Sequence, residues 1–593
     1  MKTRSAALFG AAALALAIPA VAQAQESSTA PASQDWIAKS NEYTQQLMLA
    51  EAQFAPENAS SNGLEQFDGK AIDLGPDLSQ RYIAMEQAQR ARFAAALASE
   101  SDPLVKQDLQ ILIDSIDQSV EGTQLTDRLQ LTWIDVPQFI FGSMNSALDA
   151  QIGAKRQAKA LELLQRYAGL YPGSTPLTEL AKARWAESLG DGKVGPYKGR
   201  VEDTLGKTET YIAGIHALFA KANIKGSDKA LATLDRQLRE YAEWEKANVL
   251  PKARDDFRLP PELYAFRLKQ FGIDIPPEEL IERARRGFYD TRTQMMALAP
   301  QVAAKFGFEK TDYPSVIAAL KKDVIPNDEM ETFYAGVLGQ IDKMITDEKI
   351  IDVPDFPVLM RLGTPAENAS QPAPHMQPPR LIGNTGERGQ FVLGTGDPSA
   401  GPDAAYDDFN FKAASWTLSA HEARPGHELQ FAQMVLRGVS QARALYAFNS
   451  VNAEGWGLYA EAEFMPYEPI EGQLIALQFL LLRESRAILD PMLNLGMITP
   501  AEATKWLREE VGLSVAMTKQ EVDRYTFRGQ GQAGSYFYGY GKLANLRIET
   551  EVALSDKFDR TAFNDFVISQ GLLPLGQLAD TVRSDFIPAQ LAK

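Results

Sequence analysis

The segment Ser419-Ala420-His421-Glu422-Ala423-Arg424-Pro425-Gly426-His427-Glu428-Leu429-Gln430 decides how this chain is read. It follows a helical run that begins near Phe411. It also carries two of only four histidines in 593 residues, His216, His375, His421 and His427. Two histidines four apart share a helix face and can hold one metal ion, with a glutamate after the first serving as general base. Here the spacing is six. On an unbroken helix six residues turn through ~600°, which leaves the two rings ~120° apart and unable to share an ion. Pro425 cannot donate to the carbonyl of His421 and its ring collides there, so the helix must kink or widen. Gly426 supplies the freedom to absorb two extra residues. The Pro-Gly pair is therefore predicted to re-aim His427 toward His421.

A catalytic zinc takes three protein ligands of imidazole or carboxylate type and leaves one position open for water. The third ligand is expected downstream and acidic, and Ala453-Glu454-Gly455-Trp456-Gly457-Leu458-Tyr459-Ala460-Glu461 offers Glu454. Glu461 lies two helical turns further on the same face, placed to orient a ligand histidine from behind. Trp456 reads as core. The expectation is one zinc ion per chain on His421, His427 and Glu454, with Glu422 as base; the bland alternative is a pair of surface histidines beside a proline break.

Outward from this motif the helical period dominates. Apolar residues recur at three- and four-residue spacing over 82–97, 104–116, 158–170 and 230–241. Pro-Pro-Glu-Leu at Pro260 and Ile-Pro-Pro-Glu-Glu at Ile275 mark helix starts. The apolar run 131–141, broken by Pro137, reads as buried core. Between about 352 and 408 proline and glycine become frequent, and two strand-like runs appear at 356–362 and 390–395, the second ending in the turn Gly394-Thr395-Gly396-Asp397-Pro398. After residue 410 the helical pattern returns. The fold is predicted to be mainly α, a large helical fold with a small β-sheet next to the metal-binding helix. Residues 35–350 are expected to form a helical N-terminal lobe and 351–593 a metallopeptidase-like catalytic lobe.

The first residues are read as outside the fold. Lys2 and Arg4 precede an apolar stretch at 6–21, and Ala22-Gln23-Ala24 supplies small residues for cleavage after Ala24, the order of a secretory signal peptide. Residues 25–34, rich in Ser, Ala and Pro, read as a disordered lead-in. The expected location is the periplasm or the medium, with no stable membrane insertion after cleavage. Cysteine is absent, which excludes disulfides, thiol nucleophiles, Cys-ligated metal and a lipid-modified N-terminal cysteine. With 60 Lys+Arg against 77 Asp+Glu the net charge is −17, which argues against nucleic acid as a partner.

The quoted blocks resemble a bacterial family described only as domain of unknown function 885. The resemblance rests on His-Glu-Ala-x-Pro-Gly-His-x-x-Gln at His421 to Gln430 and on Glu-Gly-Trp-x-Leu-Tyr-Ala-Glu at Glu454 to Glu461. A third block comprises Arg524-Tyr525, Gly531-Gln532-Ala533, Tyr536, Gly539 and Leu546-Arg547. It implies a helical fold similar to thermolysin-like (gluzincin) and carboxypeptidase-type zinc peptidases, with His421, His427 and Glu454 as ligands and Glu422 as base. Two positions depart from the pattern: Glu428, where many members carry a second histidine, and Gly529-Gln530, where a proline is usual.

The run Gly529-Gln530-Gly531-Gln532-Ala533-Gly534 matches a dinucleotide fingerprint in letters only. Its flanks read helix, loop, helix, and no strand precedes it. Substrate binding suits the region better. Tyr525, Tyr536 and Tyr540 are candidate phenol donors for an oxyanion, Tyr525 and Tyr536 as catalytic residues and Tyr540 as a substrate contact. Arg547 is a candidate anchor for a substrate carboxylate. The strand 390–395, with Gly394 at its end, is a candidate edge for an extended peptide to join. His216 and His375 read as structural, His375 being the nearer to the cleft. The expected function is zinc-dependent hydrolysis of a small peptide substrate. A metal-dependent hydrolase for a non-peptide amide or ester, and an inactive periplasmic binding protein, are the alternatives.

Overall fold

The computed structural model describes residues 35–394 and 407–593; the expected signal peptide, the lead-in and the turn 395–398 lie outside the described residues. The architecture is mainly α. The four periodic segments form the helices Leu78–Ser99, Pro103–Leu129, Ala160–Tyr167 and Asp228–Asn248, and both proline signals start helices, at Pro261 and Pro277. Each proline there occupies the first turn, where an amide would have no partner and a fixed φ suits the helix. Pro137 does the same: it opens the helix Val136–Ala147, whose Val136, Ile140, Phe141 and Met144 are buried.

The helices divide between two principal apolar cores. One gathers residues from Leu74 to Tyr241, including Phe141, Tyr211 and Leu238, together with Ala366. The larger takes in Ile111 and residues from Tyr264 to Phe586, without interruption at residue 350. The division expected at 350/351 therefore falls inside a core. Its physical reason is the long helix Pro277–Phe306, which packs along the helix Ile470–Asn494 and carries Leu280, Ala284, Phe288 and Met295 into the C-terminal half.

A three-stranded sheet sits beside the histidine motif: β1 (Leu359–Leu362), β2 (His375–Gln377) and β3 (Gln390–Leu393), in the order β1-β3-β2. β3 pairs parallel with β1 and antiparallel with β2. It is therefore the central strand, and the expectation that 390–395 offers a free edge is corrected: both of its sides are occupied. The edges belong to β1 and β2. β2 was hidden because three residues flanked by Pro372, Pro374 and Pro378-Pro379 read as loop.

Two helices of the C-terminal half approach unusually closely. Ser450–Phe464 crosses Ser535–Leu554 at Gly455 and Gly539, where a Cβ on Gly539 would stand 2.0 Å from the carbonyl oxygen of Val451. This crossing sets Tyr536 against the helix that carries Glu454. Gly539→Ala is expected to destabilise the protein by ~2 kcal/mol or more through backbone collision. Gly541→Ala, two residues on in the same helix and facing open space, should stabilise it by ~0.5–1 kcal/mol through helix propensity. Urea unfolding of the two variants reads the opposite signs.

Candidate metal centre

The motif helix is not bent but divided. One helix, Ala414–Glu422, ends at the proposed base, and a second, His427–Arg437, begins at the second histidine. The residues between them form a tight reversal that includes a cis Arg424–Pro425 bond. Gly426 is indispensable there, because a Cβ would lie 1.9 Å from the carbonyl oxygen of His421 and 2.4 Å from that of Ala420. The carbonyls of Pro425 and Gly426 accept from the buried indole Nε1 of Trp456, at 3.1 and 3.2 Å. Trp456 is thus core, as expected, and also pins the break to the helix that carries Glu454. The result brings the His421 and His427 rings to a centroid distance of 4.7 Å.

His421, His427 and Glu454 offer ligand atoms that all lie within 4.8 Å of one another. Glu454 Oε2 stands 3.6 Å from His421 Nε2 and 3.4 Å from His427 Nε2. Donors on a tetrahedral ion with bonds of 2.0–2.1 Å are about 3.3–3.4 Å apart, so the set fits zinc by chemistry and by spacing. Glu461 Oε1 lies 2.6 Å from His421 Nδ1, on the far side of that ring. Its carboxylate also accepts from Thr417 Oγ1 at 2.8 Å and from Arg483 Nη2 at 3.3 Å. Gly457 leaves room for the His421 ring: a Cβ there would meet its Cε1 at 2.6 Å.

Electrostatics reinforce the geometry. Burial alone would lower the His421 pKa, but the bonds to Glu454 and Glu461 outweigh it and raise the imidazole to about 9. Burial opposes ionisation of Glu454 as well, and the two histidines more than offset it, holding the carboxyl well below its ordinary value. For Glu461 the same burial is outweighed chiefly by Arg483 and His421.

The ligand set opens into a cavity of 580 Å³ whose wall includes Glu422, His375, Met376 and Tyr536. Tyr536 lies nearly parallel to His421, 6.1 Å away and inclined by 17°. Its hydroxyl oxygen accepts from Arg524 Nη2 at 2.9 Å. Burial keeps the phenol above its usual pKa, with Arg524 pulling the other way, so it is a proton donor at neutral pH. Gln532 connects this pair to the ligands: its Oε1 accepts from Arg524 Nε and Nη2, and its Nε2 donates to Glu454 Oε1 at 3.4 Å.

Other expected site residues lie elsewhere. Tyr525 is fully buried and donates to Glu521 Oε2 at 2.6 Å. Tyr540 is packed outside the cavity wall. Arg547 is engaged internally, with Glu463, Glu551 and the Tyr459 hydroxyl. Gly394 rests on the carbonyl of Pro372, where a Cβ would come within 2.3 Å. His216 pairs with Asp235 at the surface, whereas His375 reaches the cavity. Glu428 turns from the ligands and forms a buried pair with Arg424 at 2.8 Å. In the glycine run, the amide of Gly531 donates to both oxygens of buried Asp490, at 3.0 and 2.9 Å, and Gln530 Nε2 donates to Phe257 O and Asn494 Oδ1. The loop is thus anchored between helices and frames no phosphate.

Sequence reading passed over Arg483 and Arg486, and quoted Arg524 and Gln532 in the third block without giving either a role. Arg483-Glu484-Ser485-Arg486 interrupts an otherwise apolar helix that is buried nearly all round. Charges there must be paired, and clusters of that kind gather at functional sites. That signal was present in the letters.

The raised His421 pKa has a sign that can be checked. Its folded value, about 9, exceeds the ordinary 6.5, so the stability it lends the metal-free protein is complete below pH ~6.5 and is lost as pH rises through ~9. A metal ion must displace that proton. Apparent zinc affinity is therefore expected to climb roughly tenfold per pH unit between pH 6.5 and 8.5, as measured by chelator competition; a flat profile would contradict the arrangement.

Two solved structures share this fold. A putative lipoprotein of unknown function from Shewanella oneidensis matches with a TM-score of 0.67 and 17% identity, over 93% of this chain and 100% of its own. A putative lipoprotein from Colwellia psychrerythraea matches with a TM-score of 0.69 and 17% identity, over 94% and 99%. No curated protein matches the chain. The family model for the bacterial protein of unknown function DUF885 matches residues 56–582, a span that holds the divided histidine helix, the Glu454 helix and the Arg524–Tyr536 loop, and the chain belongs to that family.

Proposed function

We propose that this protein is an exported zinc-dependent peptidase acting on short peptides. The observation that carries the proposal is the convergence of His421, His427 and Glu454 with Glu422 on the same cavity wall and Glu461 behind His421. A structural histidine pair would need neither the adjacent free-standing acid nor an open cavity. Export agrees with the leader-like first 24 residues and with the lipoprotein descriptions of the two structural neighbours. Among the described residues no helix is long and apolar enough to cross a membrane.

Zinc bound to this set would supply a Lewis acid for the scissile carbonyl and acidify a water toward ~7. The protein's own residues do the rest. Glu422 accepts the proton of the attacking water on its carboxylate and delivers it to the leaving amine nitrogen. Glu461 holds the Nδ1 proton of His421, which fixes the ring with Nε2 turned to the ligand set. Tyr536 receives a hydrogen bond from Arg524, so its own proton is free to meet the oxyanion that develops on the carbonyl oxygen.

Glu422→Gln is expected to retain its zinc and lose turnover by at least ~10³-fold. Tyr536→Phe should lower kcat by ~10²-fold with little change in KM, as for an oxyanion donor. Steady-state kinetics with metal analysis on both variants checks this. Near wild-type turnover by Glu422→Gln would remove the assigned base.

A further inference from the structure

Beside the metal cavity lies a second, larger one. Its volume is 1420 Å³, and it lies between the helices Val136–Ala147 and Lys198–Lys221 of the first core and β1, the helix Pro365–Ser370 and the helix Val515–Asp523 of the second half. Pro372, Gln520 and Arg528 line both cavities, so the two meet at these side chains. Pockets for a drug-sized ligand measure about 300–1,000 Å³. The metal cavity, at 580 Å³, already accommodates a dipeptide, so the larger space has no use for so small a substrate.

The lining narrows the class of ligand. Phe141, Leu148, Leu218 and Met360 give it apolar wall. Its charges are mostly matched within the protein: Arg528 and Lys207 both pair with Asp203 at 2.9 and 2.8 Å, Lys519 with Asp523 at 2.5 Å, and Arg361 with Glu367 at 2.7 Å. A polyanion would require an uncompensated basic surface, and a purely apolar ligand would strand these groups. A peptide of mixed sequence suits both kinds of wall. β1, an edge of its sheet, contributes Leu359, Met360 and Arg361 to the wall.

We infer that this cavity holds the non-reacting length of an oligopeptide whose scissile bond lies at His421, His427 and Glu454, with the chain passing Pro372, Gln520 and Arg528. The inference rests on the peptidase reading for its direction, but the binding it requires is measurable without turnover. It makes the substrate a peptide several residues long, selected by length and by mixed polarity more than by charge.

Ala213 and Ala217 are exposed on the helix Lys198–Lys221 and face the cavity, so a tryptophan at either position fills space without entering a core. The probe is a fluorescent decapeptide of mixed sequence, titrated by anisotropy into zinc-supplemented full-length protein carrying Glu422→Gln so that the peptide survives. Adding Ala217→Trp, or in a second protein Ala213→Trp, is expected to raise the decapeptide Kd at least tenfold, and a dipeptide should compete at least tenfold less well than unlabelled decapeptide. Unchanged Kd in both tryptophan proteins, equal competition by the dipeptide, or no decapeptide binding would overturn the inference. Tryptophan-sensitive binding of a peptide that the wild type does not cleave would uphold the cavity and discard the peptidase reading. Cleavage of the decapeptide with tryptophan-insensitive binding would do the reverse.

Discussion

The site depends on one close contact, the packing of Gly426 against the carbonyls of Ala420 and His421. That contact lets a helix end at Glu422 and another begin at His427 within four intervening residues. Without it the six-residue spacing would send the two rings to different faces. The break is also tied down, because Trp456 donates to the carbonyls that the reversal leaves exposed. The same helix that pins the break carries Glu454, so the third candidate ligand is positioned by the element that stabilises the first two. A glycine crossing then places Tyr536 over the opposite side of the histidine.

Around this frame the chain buries many ionised groups, and their arrangement accounts for the tolerance. His421 is backed by Glu461, Glu461 by Arg483 and Thr417, and Arg486 by Glu521. Each of these charges faces one of opposite sign. Removing one member of such a chain leaves the next uncompensated in a low-dielectric interior, a loss of about 3–5 kcal/mol for a buried pair. Arg424 and Glu428 show the same logic one step from the ligands. A residue that in sequence stands beside a ligand serves instead to neutralise the guanidinium that also holds Asp342 and the carbonyl of Phe356.

The helices were legible because their amphipathic period and proline-marked starts are local properties. The convergence of His421, His427 and Glu454 was legible because few histidines were available and Pro-Gly between two of them has a specific steric meaning. What sequence left open depended on long-range packing. Whether Arg547 faces a substrate or Glu463 is decided by which helix lies opposite it, and the letters around it do not contain that helix. Tyr525 and Tyr536 are equally plausible donors in sequence, yet one hydroxyl meets Glu521 in the core and the other meets Arg524 at the cavity wall. The strand 390–395 had a readable pattern but not a readable place in its sheet, since β2 is too short and too rich in neighbouring prolines to announce itself. The two cores likewise divide away from residue 350 because the helix Pro277–Phe306 joins the later half through contacts made some 190 residues further along the chain, as between Thr291 and Glu484 with |i−j| = 193.

The central claim is that the interrupted motif builds one metal site from His421, His427 and Glu454. Elemental analysis of metal per chain in matched wild-type and His427→Ala protein tests it most directly. The account predicts about one zinc in the wild type and little in the variant, with the helical circular dichroism of the two indistinguishable. Equal metal in both proteins, or none in either after zinc exposure, would mean that the division of the helix does not create a site.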